Sequence, residues 1–342
     1  MFRTIKTTQT LNIKTTMRQL ASIQRILSIE PIPGADAIEK ATILGWQVVI
    51  KKNEFSAGDL CIYMEIDSLL PEQEQFEFLR PVNFRIRTRK LRGQISQGIC
   101  FPLSILPANT VIFEGADMTA LLGIEKYEPP VPPDLSGLMK GLFPSFIPKT
   151  DETRVQVLQE LLNEHKGSEA FITEKLDGSS MTCFLRDGEF GVCSRNMELH
   201  EQKANTFWKV ARQLDIEPKL CALGRNIAIQ GELMGEGIQG NKLQLKGQTL
   251  FVFSIFLIDE YRYANFEEWT SLMKQLDLPA VPVINDNYLV ENDIPSILAK
   301  ATTKSLLNKD VLAEGIVIRV KDSKEHVSFK AISNEFLLKF EE

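Results

Sequence analysis

The strongest candidate for chemistry is Lys175, which lies in the segment EKLDG at residues 174–178. Apolar residues alternate before the lysine, which predicts a strand, and the Asp-Gly pair after it predicts a turn that presents the lysine to a cleft. A neutral amine there could attack the α-phosphorus of a nucleoside triphosphate, provided that nearby cations lower its pKa from about 10.4. The segment alone is weak evidence, because a surface lysine before an Asp-Gly turn is common.

Acidic and basic residues further along the chain would complete such a site. Glu232 and Glu314 each lie beside a glycine in an otherwise apolar strand, where a carboxylate is costly unless it is paired or binds a metal. Two carboxylates could hold Mg²⁺ or Mn²⁺ directly or through its waters, although structural roles are an alternative. Lys330 and Arg195 would supply positive charge for phosphate oxygens.

The order of these segments resembles that of the covalent nucleotidyltransferases, which comprise polynucleotide ligases and RNA capping enzymes. The chain carries KLDG at 175–178, SRN at 194–196, GEL at 231–233, FVFSIF at 251–256, EG at 314–315 and SFK at 328–330. These are similar to motifs I, Ia, IIIa, III, IV and V of that superfamily. Few residues follow Lys330, whereas DNA ligases and capping enzymes continue into a C-terminal OB domain, so the resemblance favours an RNA ligase.

The first part of the chain narrows the resemblance. The segments ILSIEPIPGADAIEKATILGWQVVIKKNEFSAGDL and RIRTRKLRGQISQGI look like the N-terminal OB module of the Deinococcus-type RNA ligases, the fifth RNA ligase family. The resemblance extends from about Gln19 to the C-terminus. It implies an ATP-dependent enzyme that joins 3′-OH and 5′-phosphate ends, typically at nicks in duplexes whose 3′-OH strand is RNA.

The resemblance also implies the catalytic roles. Lys175 would be the nucleophile and would carry AMP derived from ATP. Glu232 and Glu314 would position Mg²⁺ or Mn²⁺ and its waters, and Lys330 would contact the α-phosphate. Motif V of related ligases often reads Lys-x-Lys, whereas Ser328 stands at the first of these positions here. A phosphate contact is therefore either missing or supplied by another lysine, Lys321 or Lys324.

The nucleotide-binding roles come from the same resemblance. Glu174 would recognise adenine N6, Phe253 would stack on adenine, and Leu176 lies beside the nucleophile. Arg154 would handle the ATP phosphates, and Arg195 the nucleotide or the 5′-phosphate end.

Two of these assignments have plain alternatives. Phe253 lies in a run that is apolar on both faces, so core packing is open, and Phe251 and Phe256 compete for the stacking role. Arg154 lies in the stretch 151–167, whose apolar stripe predicts an amphipathic helix, so it could instead pair with an acidic neighbour on that helix.

The elements that must position these residues fall into two predicted domains of an α+β protein. Short β-rich runs over residues 19–128 predict an OB-like, nucleic-acid-binding barrel. Prolines over 129–148 predict a linker. Mixed strands and helices over 149–342 predict a nucleotidyltransferase domain of antiparallel sheets flanked by helices. Residues 1–18 predict an extension, with a transit peptide as the alternative.

A basic cluster in the first domain is the candidate contact for nucleic acid. Alternation along a predicted strand would place Arg85, Arg87 and Arg89 on one face, with Lys90 and Arg92 following. Such a stripe suits a phosphate backbone. The alternative is a charged edge strand that prevents aggregation.

Composition sets limits on the function. The net charge of −6 argues mildly against a strongly cationic nucleic-acid binder, although the placement of charge matters more than its sum. Five scattered cysteines predict reduced thiols in an intracellular protein, cytoplasmic or in an organelle, and no apolar run is long enough to span a membrane. A monomer is expected.

Three other interpretations compete with an RNA ligase. The pattern GEGIQG at 235–240 matches a dinucleotide-binding motif, but no helix is predicted after it to receive a pyrophosphate, so that site is not expected. A DNA ligase is the nearest enzymatic alternative. A non-catalytic nucleic-acid-binding protein is the alternative from another class.

Overall fold

The structure is a computed structural model that describes residues 18–128, 137–321 and 326–340. The chain forms two compact units, Met1–Glu128 and Pro129–Glu342. The predicted extension lies outside the described residues except for Arg18.

The first unit is built from short strands, as the turn-rich sequence predicts. Its strands are β1 (Ala21–Pro31), β2 (Ile38–Ile43), β3 (Trp46–Lys51), β4 (Leu60–Met64), β5 (Ser68–Leu69), β6 (Arg89–Leu91), β7 (Gln94–Ser96), β8 (Ile99–Phe101) and β9 (Glu125–Lys126). Five of them form an antiparallel sheet in the order β3-β2-β1-β4-β8, and 3-10 helices span Glu74–Val82 and Leu103–Ile105.

The sheet of the first unit curls into a nearly closed barrel. Hydrogen bonds from Gln97 N to Gln47 O, 2.8 Å, and from Val49 N to the Ser96 hydroxyl, 2.9 Å, join the end of the sheet back to β3. Trp46 and Tyr63 are fully buried inside it. The predicted OB-like barrel is confirmed.

The second unit consists of two large sheets with helices. The strands are β10 (Met139–Leu142), β11 (Thr153–Arg154), β12 (Glu169–Lys175), β13 (Ser179–Arg186), β14 (Glu189–Cys193), β15 (Met197–Leu199), β16 (Ile227–Gly235), β17 (Gln248–Leu257), β18 (Arg262–Tyr263), β19 (Val283–Leu289), β20 (Gly315–Val320) and β21 (Ser328–Ile332). The helices are α1 (Gln159–Glu164), α2 (Thr206–Gln213), α3 (Ile216–Ala222), α4 (Phe266–Leu276), α5 (Ile294–Ala301) and α6 (Asn334–Phe340), and 3-10 helices span Val155–Val157 and Gln239–Asn241.

Pairing within the two sheets is antiparallel except between β11 and β21. One sheet has the order β10-β15-β14-β13-β16-β17-β18 and the other β11-β21-β20-β12-β19. The predicted α+β fold with antiparallel sheets and flanking helices is therefore confirmed.

Helices pack on one face of each sheet, and α4 also contacts Phe171 on the opposite face of the smaller sheet. Apolar residues of α2, α3 and α4 pack on the face of the larger sheet that carries Met181 and Cys183. Helices α1 and α5 pack on the face of the smaller sheet that carries Ala170 and Ile172. Because side chains alternate along a strand, the opposite faces carry Ser180, Glu232 and Lys175, and these are the faces that build the site.

The predicted linker is wrong for residues 137–148, which pack onto the second unit. Met139–Leu142 forms the edge strand β10, paired with β15. Ile147 is buried against Phe184 and Phe256. The prolines of this stretch, Pro144 and Pro148, lie after the strand, where they remove no ladder hydrogen bond. Residues 129–136 lie outside the described part of the chain.

The helix predicted over 151–167 is shorter than its apolar stripe. Thr153–Arg154 pairs in parallel with β21 instead, and the α-helix itself covers only Gln159–Glu164. Pairing with a distant strand overrides the local helical pattern here.

Two expectations drawn from composition concern the cysteines and the membrane. All five cysteines are free thiols. Within the described ranges no helix is long and apolar enough to cross a membrane.

Candidate active site

Lys175 is the last residue of β12 and points away from the helix-covered face. Its strand neighbour Glu174 is buried on the opposite side. Across the ladder, Lys175 lies opposite Gly315 of β20. A Cβ at Gly315 would approach Ala331 O to 2.1 Å, so glycine allows β20 and β21 to lie close together beside Lys175.

The amine of Lys175 is held by a carboxylate. Its Nζ donates to Glu314 Oε2 at 2.6 Å. Burial opposes the positive charge, but Glu314 and Glu232 together outweigh it and raise the pKa of Lys175. These two carboxylates act in the opposite direction to the metal ion and basic side chains that were expected to lower this pKa, because they attract the ammonium.

Glu232 forms the other side of the site, from β16. It lies opposite Ser180 of β13, and its Oε1 accepts a hydrogen bond from Gly178 N at 3.0 Å. Burial raises the pKa of Glu232 to about 7, against the opposing charge of Lys175. The hydrogen bond from Gly178 N joins the turn after Lys175 to this carboxylate.

The carboxylates of Glu232 and Glu314 fit a divalent cation that also binds substrate phosphates. Mg²⁺ sites commonly use one or two carboxylates together with waters and phosphate oxygens. Burial raises the pKa values of both carboxyl groups, and a bound cation would favour their charged forms. No group of three or more His, Cys, Asp or Glu side chains that could hold a metal without substrate occurs among the described residues.

Two cations lie side by side on the smaller sheet. Arg154 of β11 is the register partner of Lys330 in the parallel ladder with β21. Lys330 in turn lies opposite Val317 of β20, two residues along from Gly315. Both predicted phosphate-binding residues thus lie in the same sheet as Lys175, on the two strands beyond β20.

Arg195 lies in a different setting. It follows β14, is exposed, and donates to Asp151 Oδ1 at 2.6 Å. The next residue, Asn196, accepts a hydrogen bond from Lys149 at 2.9 Å. The structure therefore brings Arg195 to the segment before β11.

Glu174 has one oxygen that is used and one that is not. Its Oε2 accepts a hydrogen bond from Leu306 N at 2.8 Å, whereas its buried Oε1 has no hydrogen-bond partner in the described structure. Burial raises the pKa of this carboxyl group. A buried acceptor without a partner is costly and suits an amino group supplied by a ligand.

The aromatic candidates separate into two groups. Phe256 is buried in the cluster that contains Ile147 and is excluded from the site. Phe251 and Phe253 pack instead on the cluster that contains Leu176. Phe253 is the extra residue of a β-bulge between Val252 and Ser254. Phe251 and Phe253 thus remain the candidates for stacking on adenine, and the choice of Phe253 stays a prediction.

Sequence reasoning missed two charged residues near the site. Arg319 is 5% exposed, donates to the Thr173 hydroxyl at 3.1 Å and lies 3.6 Å from Glu152. Its guanidinium carbon is 5.9 Å from the centre of the Phe253 ring. A lone arginine in the apolar run GIVIRV was the available signal. The other residue, Lys242, pairs with Asp177 of the KLDG segment.

The arginine stripe of the first unit is only partly as predicted. Burial alternates, with Phe84 and Ile86 inside, but the regular strand begins only at Arg89 because a 3-10 helix and a turn precede it. The Arg85 guanidinium donates a hydrogen bond to Asp67 Oδ1 at 3.2 Å, and its central carbon lies 3.8 Å from the Tyr127 ring centre.

Arg87 is half-buried and Arg89 begins β6. Lys90 and Arg92 project at the β6–β7 hairpin and are exposed, with no ion pair to any described residue of this unit. The basic hairpin is therefore better placed than Arg85 to meet a phosphate backbone.

Comparisons with known proteins agree with this geometry. A family model described as RNA ligase matches residues 168–332, and one described as an OB-fold domain matches residues 20–103. A comparison with curated proteins gave no match.

Solved structures of the Naegleria gruberi RNA ligase are similar over almost the whole chain. The complex with PPi is 43% identical, covers 95% of this chain and 99% of that chain, and has a TM-score of 0.89. A lysine-to-alanine variant with ATP and Mn is 43% identical, covers 93% and 98%, and has a TM-score of 0.86. A lysine-to-methionine variant with AMP and Mn is 43% identical, covers 94% and 98%, and has a TM-score of 0.87. The chain belongs to the family of ATP-dependent RNA ligases that carry an N-terminal OB domain.

Proposed function

We propose that the protein seals 3′-OH and 5′-phosphate ends, at nicks whose 3′-OH strand is RNA, and that Lys175 is its nucleophile. The observation that carries the proposal is the position of the Lys175 amine, 2.6 Å from Glu314 and in the field of Glu232. Lys330 and Arg154 are neighbours on the adjoining strands. A nucleophile, two carboxylates and two cations are what transfer of a nucleotidyl group requires.

The proposed reaction has three steps. Lys175 Nζ attacks the α-phosphorus of ATP, so that an N–P bond forms and the bond to pyrophosphate breaks. The 5′-phosphate of the polynucleotide then attacks the lysyl-adenylate and takes the AMP. Finally the 3′-OH attacks the activated 5′-phosphate, and AMP leaves as the phosphodiester forms.

The residues act by position and charge. Glu314 holds the Lys175 amine until substrate binds, and Lys330 and Arg154 bind phosphate oxygens. A divalent cation held by Glu232 and Glu314 would withdraw their negative charge from Lys175 and stabilise the phosphates. Glu174 Oε1 would accept a hydrogen bond from adenine N6, and Phe253 would stack on the base.

Labelling with α-³²P-ATP tests the first step. With Mg²⁺ or Mn²⁺, we expect label on denatured wild-type protein that is acid-labile and is removed by pyrophosphate. Lys175→Ala should carry none, while Lys166→Ala, which changes an exposed lysine after α1, should label normally. A folded, nucleotide-free wild type that never labels would exclude the proposal.

Sealing of defined nicks tests the substrate. We expect ligation when the 3′-OH strand ends in RNA, with adenylated 5′ ends accumulating when the 3′-OH is removed. Equal sealing of an all-DNA nick would instead assign the protein as a ligase without preference for RNA.

A further inference from the structure

The GEGIQG pattern after β16 builds a loop instead of a dinucleotide site. Gly237 and Gly240 adopt φ angles of 78° and 71°, which favour glycine. A Cβ at Gly235 would lie 1.9 Å from Gly247 O, so the two ends of the loop touch. Only the short 3-10 turn Gln239–Asn241 follows the glycines, and the next residue is Lys242.

The backbone that carries Lys242 is held on both sides. The Asn241 side chain accepts a hydrogen bond from Leu245 N at 3.0 Å and donates to Leu245 O at 2.9 Å. Asn308 donates from its side chain to Leu243 O at 2.9 Å. Leu243 is buried in the same apolar cluster as Leu176. The loop thus presents Lys242 from a fixed position beside the KLDG segment.

The ammonium of Lys242 has three neighbours. It forms an ion pair with Asp177, in which both side chains are about three-quarters buried, with 24% and 27% exposure. It also lies 5.3 Å from the ring centre of Phe336 and 5.5 Å from that of Phe340, both on α6. The two rings are themselves 4.7 Å apart. Cations held against aromatic faces and partly removed from water are bound more firmly than exposed ones.

We infer that Lys242 is a positioning residue for lysyl adenylation. It fixes Asp177 and, through Asp177, the turn that follows Lys175 and is hydrogen-bonded to Glu232. Asp177 lies two residues after the nucleophile, and Gly178, the next residue, donates its N–H to Glu232. Without Lys242, the Asp177 carboxylate would be a third negative charge able to draw the Lys175 amine away from Glu314. The inference rests on the proposed function.

A positioning role and a substrate contact predict different kinetics. If Lys242 only fixes the turn, its loss lowers the rate constant of adenylation and leaves the KM for ATP nearly unchanged. If Lys242 binds ATP phosphates, its loss raises that KM. The contacts with Asp177 and α6 favour the first role.

The test measures rates of self-adenylation in the full-length protein as a function of ATP concentration. We expect Lys242→Met, which keeps most of the side-chain length, to reduce the maximal rate about 10- to 100-fold with little change in KM. Lys242→Arg should recover most of the rate, because a guanidinium pairs with carboxylates and stacks on aromatic rings. Lys339→Met is the control. Lys339 belongs to α6, and its amine also lies near the Phe340 ring, 5.1 Å from the ring centre. This variant should react at the wild-type rate.

A double variant separates coupling from general damage. Asp177→Asn with Lys242→Met should lose no more activity than the worse single variant, because the two side chains act as one pair. Wild-type rates for Lys242→Met, or a defect confined to KM, would overturn the inference while leaving the proposed function intact. An absence of label on the wild type would defeat the proposed function itself. Melting temperatures of the variants identify any loss caused by unfolding.

Discussion

The carboxyl groups of Glu232 and Glu314 bind protons more readily than ordinary glutamates, because burial raises the pKa of each. Two carboxyl groups share one ammonium, and burial makes the charged forms of both unfavourable. The charged form of Glu232 is therefore unfavourable in the folded protein. This charge has a thermodynamic consequence that can be measured without any assay of ligation.

Stability of the ligand-free protein should fall as pH rises through the range in which Glu232 ionises. Its pKa is about 7 in the folded protein and about 4.3 when unfolded, so between these values the folded state binds more protons. The contribution is fully present below about pH 4.3 and is lost as pH rises through about 7.

Thermal melts of the wild type and Glu232→Gln in chelator measure this effect. The amide removes the penalty of the buried charge, so the difference in Tm, variant minus wild type, should grow by about 2–4 °C or more from pH 5 to pH 8. A difference that stays constant across this range would contradict the assigned cause.

At the level of elements, the site depends on how closely the turn between β12 and β13 approaches β16. A Cβ added at Gly178 would lie 2.4 Å from both Leu233 O and Met234 Sδ. The turn can carry the hydrogen bond to Glu232 only because residue 178 has no side chain.

Gly178→Ala should therefore separate the turn from β16. Displacement of reacting groups by about 1 Å can cost on the order of 100-fold in rate, so we expect self-adenylation to fall at least that far. Gly141→Ala, in β10, is the matched control because a Cβ there meets no atom within 4 Å. Quantitative labelling and melting curves measure both changes, and near-normal labelling of Gly178→Ala would show that the close approach is not needed.

The chemistry of the site was more predictable from sequence than its contacts. Lys175, Glu232, Glu314 and Lys330 were predicted from the order of segments that resemble the nucleotidyltransferase motifs, and for the two glutamates also from their place in otherwise apolar strands. The pairing of Asp177 with Lys242 joins residues far apart in sequence, and neither has a pattern that points to the other. Arg154 was expected on a helix for the same reason: its ladder partner, Lys330, is distant in the chain.

The barrel and the two-sheet unit were predictable from turn spacing and alternation, whereas the fate of residues 137–148 was not. Proline density indicated a linker, but edge pairing and the burial of Ile147 are tertiary effects. Electrostatic states also escaped prediction, because the pKa of Lys175 depends on which partners fill the site.

On the scale of the whole molecule, a chain of net charge −6 must meet a polyanion through a local concentration of positive charge. The β6–β7 hairpin offers one. Arg92 and Gly93 take φ angles of 49° and 86°, which close a tight turn with Lys90 and Arg92 exposed beside it. Leu91 between them is 44% exposed.

The double variant Lys90→Ala and Arg92→Ala should bind nicked RNA-containing duplex more weakly and with less dependence on salt. Loss of two phosphate contacts should reduce the slope of log K against log salt by about 1–2. Self-adenylation should be unchanged. Arg80→Ala is the control, because this exposed arginine is already paired with Glu72 and Glu77. An unchanged slope in fluorescence anisotropy titrations would remove the hairpin from the RNA-binding surface.

The ion pair between Lys175 and Glu314 also bears on how the enzyme survives between turnovers. A protonated amine has no lone pair, so the proposed nucleophile, held as an ammonium beside Glu314, should resist the aldehydes, cyanate and acyl donors that consume reactive lysines. Only an event that draws Glu314 away exposes the free amine. In the proposed mechanism, the contact with Glu314 would therefore protect the Lys175 amine from such reagents until substrate binds.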